Sequence, residues 1–344
     1  MDQVDHEVVL IPGDEVFTQK SHLTPNMAIN LGFPVQVLDN DASELESTAS
    51  SSTSISSSIL NYRLENGRTY HKYKDGNLQH EIITYTLDGE LGLAPPCHKT
   101  AKVGRVLDVG TGTGIWAIDF GDLHPEAEVL GVDLSPPQQE FVPPNVKFEI
   151  DDVEEEWLHS EPFEYIHSRF MTGSIMNWKE YIRRCYEYGL ANLIFAHLSE
   201  RRNSNLAPGG YLELVENQAT ANSDDGTFPK DCAMAKYIEG IQTASEKLGR
   251  AFIDVPKLKN IMEEAGFVDV ELRKYKWPMN TWPKEERYKT LGLWCLENFN
   301  SALEAVCMAL FTRVLNWSLD EVNIFLIDVR KDLKNQSYHA YFNV

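Results

Sequence analysis

The chain has 344 residues, of which 42% are hydrophobic, and its 52 acidic and 31 basic side chains give a formal net charge of −21. This length allows one large domain or two modest ones, with a sizeable buried core. The acidic balance argues against binding to nucleic acid or to an anionic membrane surface, since both would repel the chain.

The sequence also lacks the segments that mark export, membrane insertion or metal binding. No apolar run approaches the roughly 18 residues that a membrane-spanning helix needs, and the N-terminus lacks the basic-then-apolar pattern of a signal peptide. The five cysteines and ten histidines form no C-x-x-C pair and show no metal-ligand spacing. We therefore expect reduced thiols, no metal site and a cytoplasmic or nuclear location.

Residues 1–60 differ in composition from the rest of the chain. Lys20 is the only Lys or Arg among the first fifty residues, and residues 47–58 are nearly all Ser or Thr. Such a segment buries too little apolar surface to offset the entropy lost on ordering. We predict a disordered, acidic and Ser-rich tail, followed by a folded domain over residues 61–344.

From residue 78 onwards, predicted helices and strands alternate. A first helix is expected near 78–87. Strands are expected near 105–109, 128–132, 146–150, 164–167 and 210–215, and helices near 114–123, 178–187 and 229–248. Alternation of this kind predicts an α/β fold with a doubly wound, mostly parallel sheet.

The C-terminal part of the chain is more helical. A predicted helix at 256–265 precedes a strand-like stretch at 268–273, and another strand-like stretch, at 338–344, ends the chain. Residues 285–317 carry an apolar stripe at helical spacing. We interpret the stripe as core or lid packing rather than a substrate-lining face, and we predict a helical lid over 280–317. Ser318 and Glu321 have the spacing of a capping box that begins a last helix.

A glycine-rich turn joins the first strand of the predicted sheet to the following helix. Gly110, Gly112 and Gly114 alternate with threonines directly after the apolar strand. Glycine lets the backbone approach a ligand closely, and that ligand then lies near a helix N-terminus. The dinucleotide fingerprint requires G-x-G-x-x-G, whereas this turn reads G-x-G-x-G. A nicotinamide cofactor is therefore the poorer fit.

Acidic residues follow the next two predicted strands. Asp133 closes the second strand, 19 residues after Gly114, and an acid at this place usually accepts hydrogen bonds from ribose hydroxyls. Asp151 and Asp152 follow the third strand. We predict that one of these two contacts the ligand, and the choice between them stays open. The alternative is that they belong to a solvated acidic turn.

Together these motifs resemble one family, the fungal LaeA-like group of class I methyltransferases. The similarity extends over roughly residues 60–344. It rests on residues 65–71, 107–120, 131–136, 142–146, 148–152, 165–169 and 206–214. The resemblance implies a Rossmann-like sheet of about seven strands, S-adenosylmethionine as the methyl donor, and a place in secondary metabolism.

The resemblance also implies which residues bind the cofactor. The glycine turn lies under its amino-acid part, Asp133 holds the ribose, and Asp152 with Val153 holds the adenine. Ser168 faces the methionine end, and Tyr70 closes over the cofactor. The complete predicted set is Tyr70, Asp108, Gly110, Thr111, Gly112, Gly114, Asp133, Leu134, Asp152, Val153 and Ser168.

Two segments depart from the pattern of the family. Residues 188–205 look like an insertion, which we expect to form a surface excursion because long loops add little closure entropy. The segment at 76–78 is shorter than in family members. Both departures bear on whether the chain retains full activity.

The sequence favours a methyltransferase that acts on a small molecule, with neither nucleic acid nor membrane as partner. Two alternatives stay open: a LaeA-like regulator that retains the cofactor site but acts through protein partners, and a protein methyltransferase. A general base is needed only when the acceptor is protonated at neutral pH. No catalytic residue is therefore assigned, although Tyr70, His71, His167 and Glu216 are candidates for a base.

We expect the acceptor site over the carboxyl ends of the strands, because ligands of open parallel sheets bind there. Aromatic and sulfur-containing side chains of the C-terminal helices are expected to roof it. They are Met234, Tyr237, Trp282, Trp294 and Phe299.

Overall fold

The computed structural model describes residues 63–65, 68–70, 77–135, 137, 141–186 and 205–344. At its N-terminal end, strands β1 (Arg63–Glu65) and β2 (Arg68–Tyr70) pair in antiparallel fashion. The predicted disordered tail at 1–60 lies outside the described residues. So do Gly76 of the short segment and, apart from Asn205, the predicted insertion at 188–205.

The centre of the fold is a parallel sheet of five strands in the order β5-β4-β3-β6-β7. These are β3 (Arg105–Val109), β4 (Glu128–Asp133), β5 (Val146–Ile150), β6 (Phe163–Arg169) and β7 (Leu206–Val215). Val106, Leu107 and Val109 of the central strand are each 0% exposed, as expected for a strand covered on both faces. The strand order confirms the predicted doubly wound, parallel arrangement.

Helices cover both faces of this sheet. The helices up to residue 265 are α1 (Asn77–Thr86), α2 (Ile115–Leu123), α3 (Trp178–Tyr186), α4 (Ala233–Lys247) and α5 (Pro256–Ala265), of which α2, α3 and α5 contribute to the cores on the two faces. On one face, Trp116 and Phe120 of α2 pack against Tyr165 of β6. On the other face, Tyr181 of α3 and Met262 of α5 belong to a second core cluster.

The remaining elements form a C-terminal layer beside the ends of β6 and β7. They are β8 (Ala221–Asn222), β9 (Lys276–Pro278), α6 (Glu286–Ala309) with a π-helical turn at Leu310–Val314, α7 (Leu319–Leu333) and β10 (Tyr341–Asn343). The three strands pair in antiparallel fashion in the order β8-β10-β9. Leu303 and Leu310 of the predicted apolar stripe are buried in the core of this layer.

The central sheet is smaller than the resemblance implied, with five strands among the described residues instead of about seven. The expected strand at 268–273 does not form. Asp269 takes a left-handed φ of 55°, which interrupts an extended run. Val270 and Leu272 nevertheless pack against the core. The last predicted strand forms as β10, in the smaller sheet.

Candidate functional site

The glycine turn leads from β3 into α2 at the carboxyl edge of the sheet. Gly110, Gly112 and Gly114 have φ angles of 68°, 56° and 80°, a left-handed conformation that is costly for residues with a Cβ. A Cβ built on Gly112 would meet no atom closer than 4.0 Å, so open space lies beside this backbone. Gly114 is the N-cap of α2. The turn thus presents bare backbone next to a helix N-terminus.

Asp133, the last residue of β4, is tied to this turn. Its side chain is 4% exposed, and its Oδ2 accepts a hydrogen bond from the N–H of Gly112 at 2.9 Å. Its Oδ1 accepts hydrogen bonds from the N–H and the hydroxyl of Ser135, each at 3.2 Å. A carboxylate has about four lone-pair sites, so Asp133 retains acceptor capacity for ribose hydroxyls.

A cleft of about 440 Å³ lies between the glycine turn and the ends of β4 and β5. The predicted residues that line it are Gly110, Asp133, Leu134, Asp152 and Val153. Asp151 lines it as well, so the choice between the two candidates for the adenine contact stays open. The lining also includes Glu154, Met171, Ser174, Ile175 and Arg250.

The charge of the cleft suits S-adenosylmethionine. Three aspartates and Glu154 line it, against Arg250 as the only cation among the lining residues. Arg250 Nη1 lies 2.8 Å from Glu154 Oε2, and this ion pair leaves the cleft with an excess of negative charge. The methyl donor carries a sulfonium and an ammonium against one carboxylate, so an acidic lining attracts it. The residues present therefore fit this cofactor.

Asp108 and Thr111, also predicted to bind the cofactor, stabilise the turn through a hydrogen bond between their side chains. Asp108 is 3% exposed, and its Oδ2 accepts a hydrogen bond from Thr111 Oγ1 at 2.6 Å. Its Oδ1 lies 2.8 Å from Nδ1 of His167. Burial lowers the pKa of His167, so the ring is neutral and its Nδ1–H donates. Asp108 does not line the cleft, so it is better placed to position the turn than to contact a ligand.

His167 was one candidate for a general base, and its surroundings are those of a core residue. Its ring is 0% exposed and stacks on Trp116 with centroids 3.7 Å apart. It does not line the cleft. We therefore assign His167 to the support of the glycine turn, through Asp108.

Ser168, also predicted to bind the cofactor, does not line the cleft. Ser168 is fully buried on β6, on the same face of the strand as Ile166, which lies in the core beneath α3. Tyr70 ends β2, and its side chain lies outside what the structure describes. His71 also lies outside it. The predicted contact between Tyr70 and the cofactor stays a prediction.

A larger cavity of about 850 Å³ adjoins the cleft at residues 170–172. Met171 lines the cleft, whereas Phe170 and Thr172 on either side of it line the cavity. The other lining residues are Asn217, Ala219, Met234, Tyr237, Ile238, Ile241, Phe252, Trp277, Phe299, Leu303, Val306, Phe342 and Val344. The cavity is thus mostly apolar, with a hydroxyl and an amide at one side.

Of the expected roof residues, three line this cavity and two lie elsewhere. Met234, Tyr237 and Phe299 are in its wall. Trp282 donates its Nε1–H to the carbonyl of Ala340 at 2.8 Å, and Trp294 packs against Tyr85. The sequence places these two tryptophans in the roof only because they are aromatic. Their contacts are not predictable from it, because Ala340 and Tyr85 are remote from them in sequence.

Sequence reasoning did not assign Met171, Arg250 or the contacts of Glu216. Met171 follows a parallel strand, and this position alone indicates that it lies near the ligand site. The sequence around Arg250 contains no such indication. Glu216 accepts hydrogen bonds from the N–H groups of Met171 and Thr172. It does not line the apolar cavity, so it is not placed to take a proton from an acceptor there.

Within the described residues, no group of three or more His, Cys, Asp or Glu side chains is arranged to hold a metal ion. The helices of the same part of the chain are each too short or too polar to cross a membrane.

Comparison with known proteins connects this site to a family. The family model described as a methyltransferase domain matches residues 79–272. The methyltransferase pytC of Aspergillus terreus is 38% identical over 321 residues, which cover 89% of this chain and 93% of that relative. The secondary metabolism regulator LAE1 of Cochliobolus heterostrophus is 32% identical over 299 residues, which cover 82% of this chain and 92% of that relative.

A solved structure with a similar arrangement is mycolic acid cyclopropane synthase CmaA1 in complex with SAH and CTAB. It is 14% identical with a TM-score of 0.41, over 77% of this chain and 82% of its own.

Proposed function

Since the chain belongs to the methyltransferase domain family and is an S-adenosylmethionine-dependent enzyme, we propose that it methylates a flat, mostly apolar small molecule of secondary metabolism. One observation carries the proposal: the cofactor cleft and the apolar cavity meet at residues 170–172. The relative pytC is named a methyltransferase, which supports methyl transfer as the reaction.

The chemistry is an in-line displacement, for which the bound cofactor supplies an already activated methyl group. What the chain contributes is geometry, because holding two reactants in line converts a bimolecular step into an effectively unimolecular one. Asp133 and the glycine turn orient the donor in the cleft. The walls of the cavity exclude water and hold the acceptor, and Met171 lies at the boundary where the methyl group would cross.

The composition of the cavity wall favours an apolar acceptor over a polar peptide. Peptides need many partners for their backbone N–H and C=O groups, and this wall supplies few. Tyr237 cannot donate to a peptide carbonyl, because its hydroxyl already donates to the carbonyl of Leu303 at 2.8 Å. Asn217 and Thr172 are the polar lining residues that would orient a hydroxyl or carbonyl of an acceptor.

The test is transfer of a radiolabelled methyl group from S-adenosylmethionine, with the full chain incubated separately with small-molecule and protein fractions of a fungal extract. We expect label in an organic-soluble product of the small-molecule fraction. Label in protein would contradict the proposal and favour a protein methyltransferase. Cofactor binding without any transfer would instead favour a regulator that acts through partners; the relative LAE1 is named a regulator of secondary metabolism.

A further inference from the structure

Glu216 is a buried carboxylate that joins two neighbouring strand ends. It follows β7 directly and is 3% exposed. Its Oε1 accepts a hydrogen bond from the N–H of Met171 at 2.8 Å, and its Oε2 accepts one from the N–H of Thr172 at 2.9 Å. Two consecutive N–H groups of the loop after β6 thus converge on one carboxylate.

That loop forms the wall between the cleft and the cavity. The side chain of Met171 packs onto the glycine turn so closely that a Cβ at Gly110 would collide with its Sδ. Thr172 Oγ1 accepts a hydrogen bond from the N–H of Ile253 at 3.4 Å, and Phe170 packs against Trp277. A shift of residues 170–172 would therefore change both spaces at once.

We propose that Glu216 is a positioning residue whose ionised carboxylate holds residues 170–172 in the arrangement that aligns the cofactor with the acceptor. This inference rests on the proposed function of the two spaces. An ionised carboxylate offers acceptors to both N–H groups, whereas a protonated one turns one oxygen into a donor. Protonation therefore weakens one of the two bonds and loosens the wall.

The surroundings of Glu216 place its titration in an accessible pH range. Burial raises the pKa of Glu216 to about 8, although the N–H groups of Met171 and Thr172 act in the opposite direction. Tyr181, on the neighbouring helix α3, is buried. Burial, and to a smaller extent nearby charges that include Glu216, raises the pKa of Tyr181 well above its usual range.

Other charged or titratable groups face Glu216 across a cavity of about 700 Å³. Arg273 and Tyr275 line this cavity from the segment before β9, and Arg273 lies 3.5 Å from Glu271. Glu213, on β7, accepts hydrogen bonds from the N–H groups of Leu93 and Ala94 and from the hydroxyl of Tyr165. Helices α1 and α5 line this cavity with Ile83, Thr86 and Leu258, none of which is ionisable.

Glu213 gives a matched control. It lies three residues before Glu216 on the same chain segment, is equally buried at 3% exposure, and also accepts two consecutive backbone N–H groups. Its loop, however, is at residues 93–94 and not at 171–172. Glu213→Gln therefore tests the loss of a buried carboxylate without changing the contacts of the shared wall.

The first experiment follows the amide of Met171 directly and needs no acceptor. The chain has eight methionines, so selective ¹⁵N-methionine labelling gives a simple spectrum in which Met171→Leu identifies the resonance. In the wild type, the Met171 amide should shift with a midpoint near the Glu216 pKa of about 8. The shift should vanish in Glu216→Gln and persist in Glu213→Gln.

The second experiment measures the affinity for S-adenosylhomocysteine by calorimetry at pH 6.5 and pH 9. The wild type and Glu213→Gln should bind more tightly at pH 9, by up to about tenfold, the effect of strengthening one charge-assisted hydrogen bond. Glu216→Gln should show no such difference.

These outcomes separate the inference from the proposed function. A Met171 amide that does not titrate between pH 6 and 10, or that titrates equally in Glu216→Gln, overturns the role of Glu216. If Glu216→Gln fails to fold, the wild-type titration still decides. Absence of S-adenosylhomocysteine binding, with the amide titrating as expected, contradicts the function of the cleft instead.

Discussion

Asp108 and Asp133 lie at corresponding ends of adjacent strands, and their surroundings give them different tasks. Asp108 has one oxygen on Thr111 and the other beside His167. Asp133 reaches the cleft and holds the turn through the N–H of Gly112. The residue type and position were predictable for both. The difference could not be predicted, because it depends on His167, which is remote in sequence and adjacent only across the β3–β6 pairing.

Replacing Asp133 by alanine should weaken S-adenosylhomocysteine binding by about 1–3 kcal/mol, the usual cost of leaving buried hydrogen-bonding groups without a partner. Isothermal calorimetry checks this. The matched control is Glu128→Ala at the opposite, exposed end of the same strand, which should bind as the wild type does. Equal affinities for Asp133→Ala and the control would refute the ribose contact.

At the scale of whole elements, hydrophobic periodicity together with turn and capping residues predicted most of the fold. The strands at 105–109 and 146–150 have the predicted limits, and α7 begins at the predicted capping box. The stretch at 268–273 alternates as a strand does, yet Asp269 turns the backbone into the left-handed region. Alternation reports which residues are buried, and it does not report whether a partner strand is available.

The capping box of α7 gives a test of one element. The hydroxyl of Ser318 accepts a hydrogen bond from the N–H of Glu321 at 3.2 Å, so Ser318→Ala should lower the free energy of unfolding by about 1 kcal/mol. Urea unfolding measures the change. Ser301→Ala within α6 is the contrast, and it should be neutral or slightly stabilising because alanine favours a helix interior. Equal effects would contradict the cap.

The face of α6 that lines the apolar cavity gives a second test. Val306→Phe should fill part of the cavity and lower transfer to the extract acceptor by about tenfold or more, since apolar pockets discriminate by size. S-adenosylhomocysteine affinity should stay within about twofold of the wild type, because the cleft is separate. Ile324→Phe on the exposed side of α7, where Ile324 is 67% exposed, is the control. Unchanged transfer by Val306→Phe would place the acceptor elsewhere.

At the scale of the whole molecule, Glu216 makes stability and alignment of the site respond to pH in opposite directions. Its pKa rises from 4.5 to about 8 on folding, so between these values the folded chain holds a proton that the unfolded chain has released. The free energy of unfolding therefore falls as pH rises from about 5 to about 8, by at most about 1.4 kcal/mol per pH unit. Above about pH 8 the contribution of Glu216 is constant.

Urea unfolding of the wild type and Glu216→Gln at pH 5, 6.5, 8 and 9 isolates the effect. The stability of Glu216→Gln relative to the wild type should increase up to pH 8 and then level off. A difference independent of pH would mean that Glu216 is already ionised at pH 5. The carboxylate form of Glu216 holds residues 170–172 with two hydrogen bonds. The pH range that best aligns the cleft with the cavity is therefore the one in which the buried charge of Glu216 lowers the free energy of unfolding most.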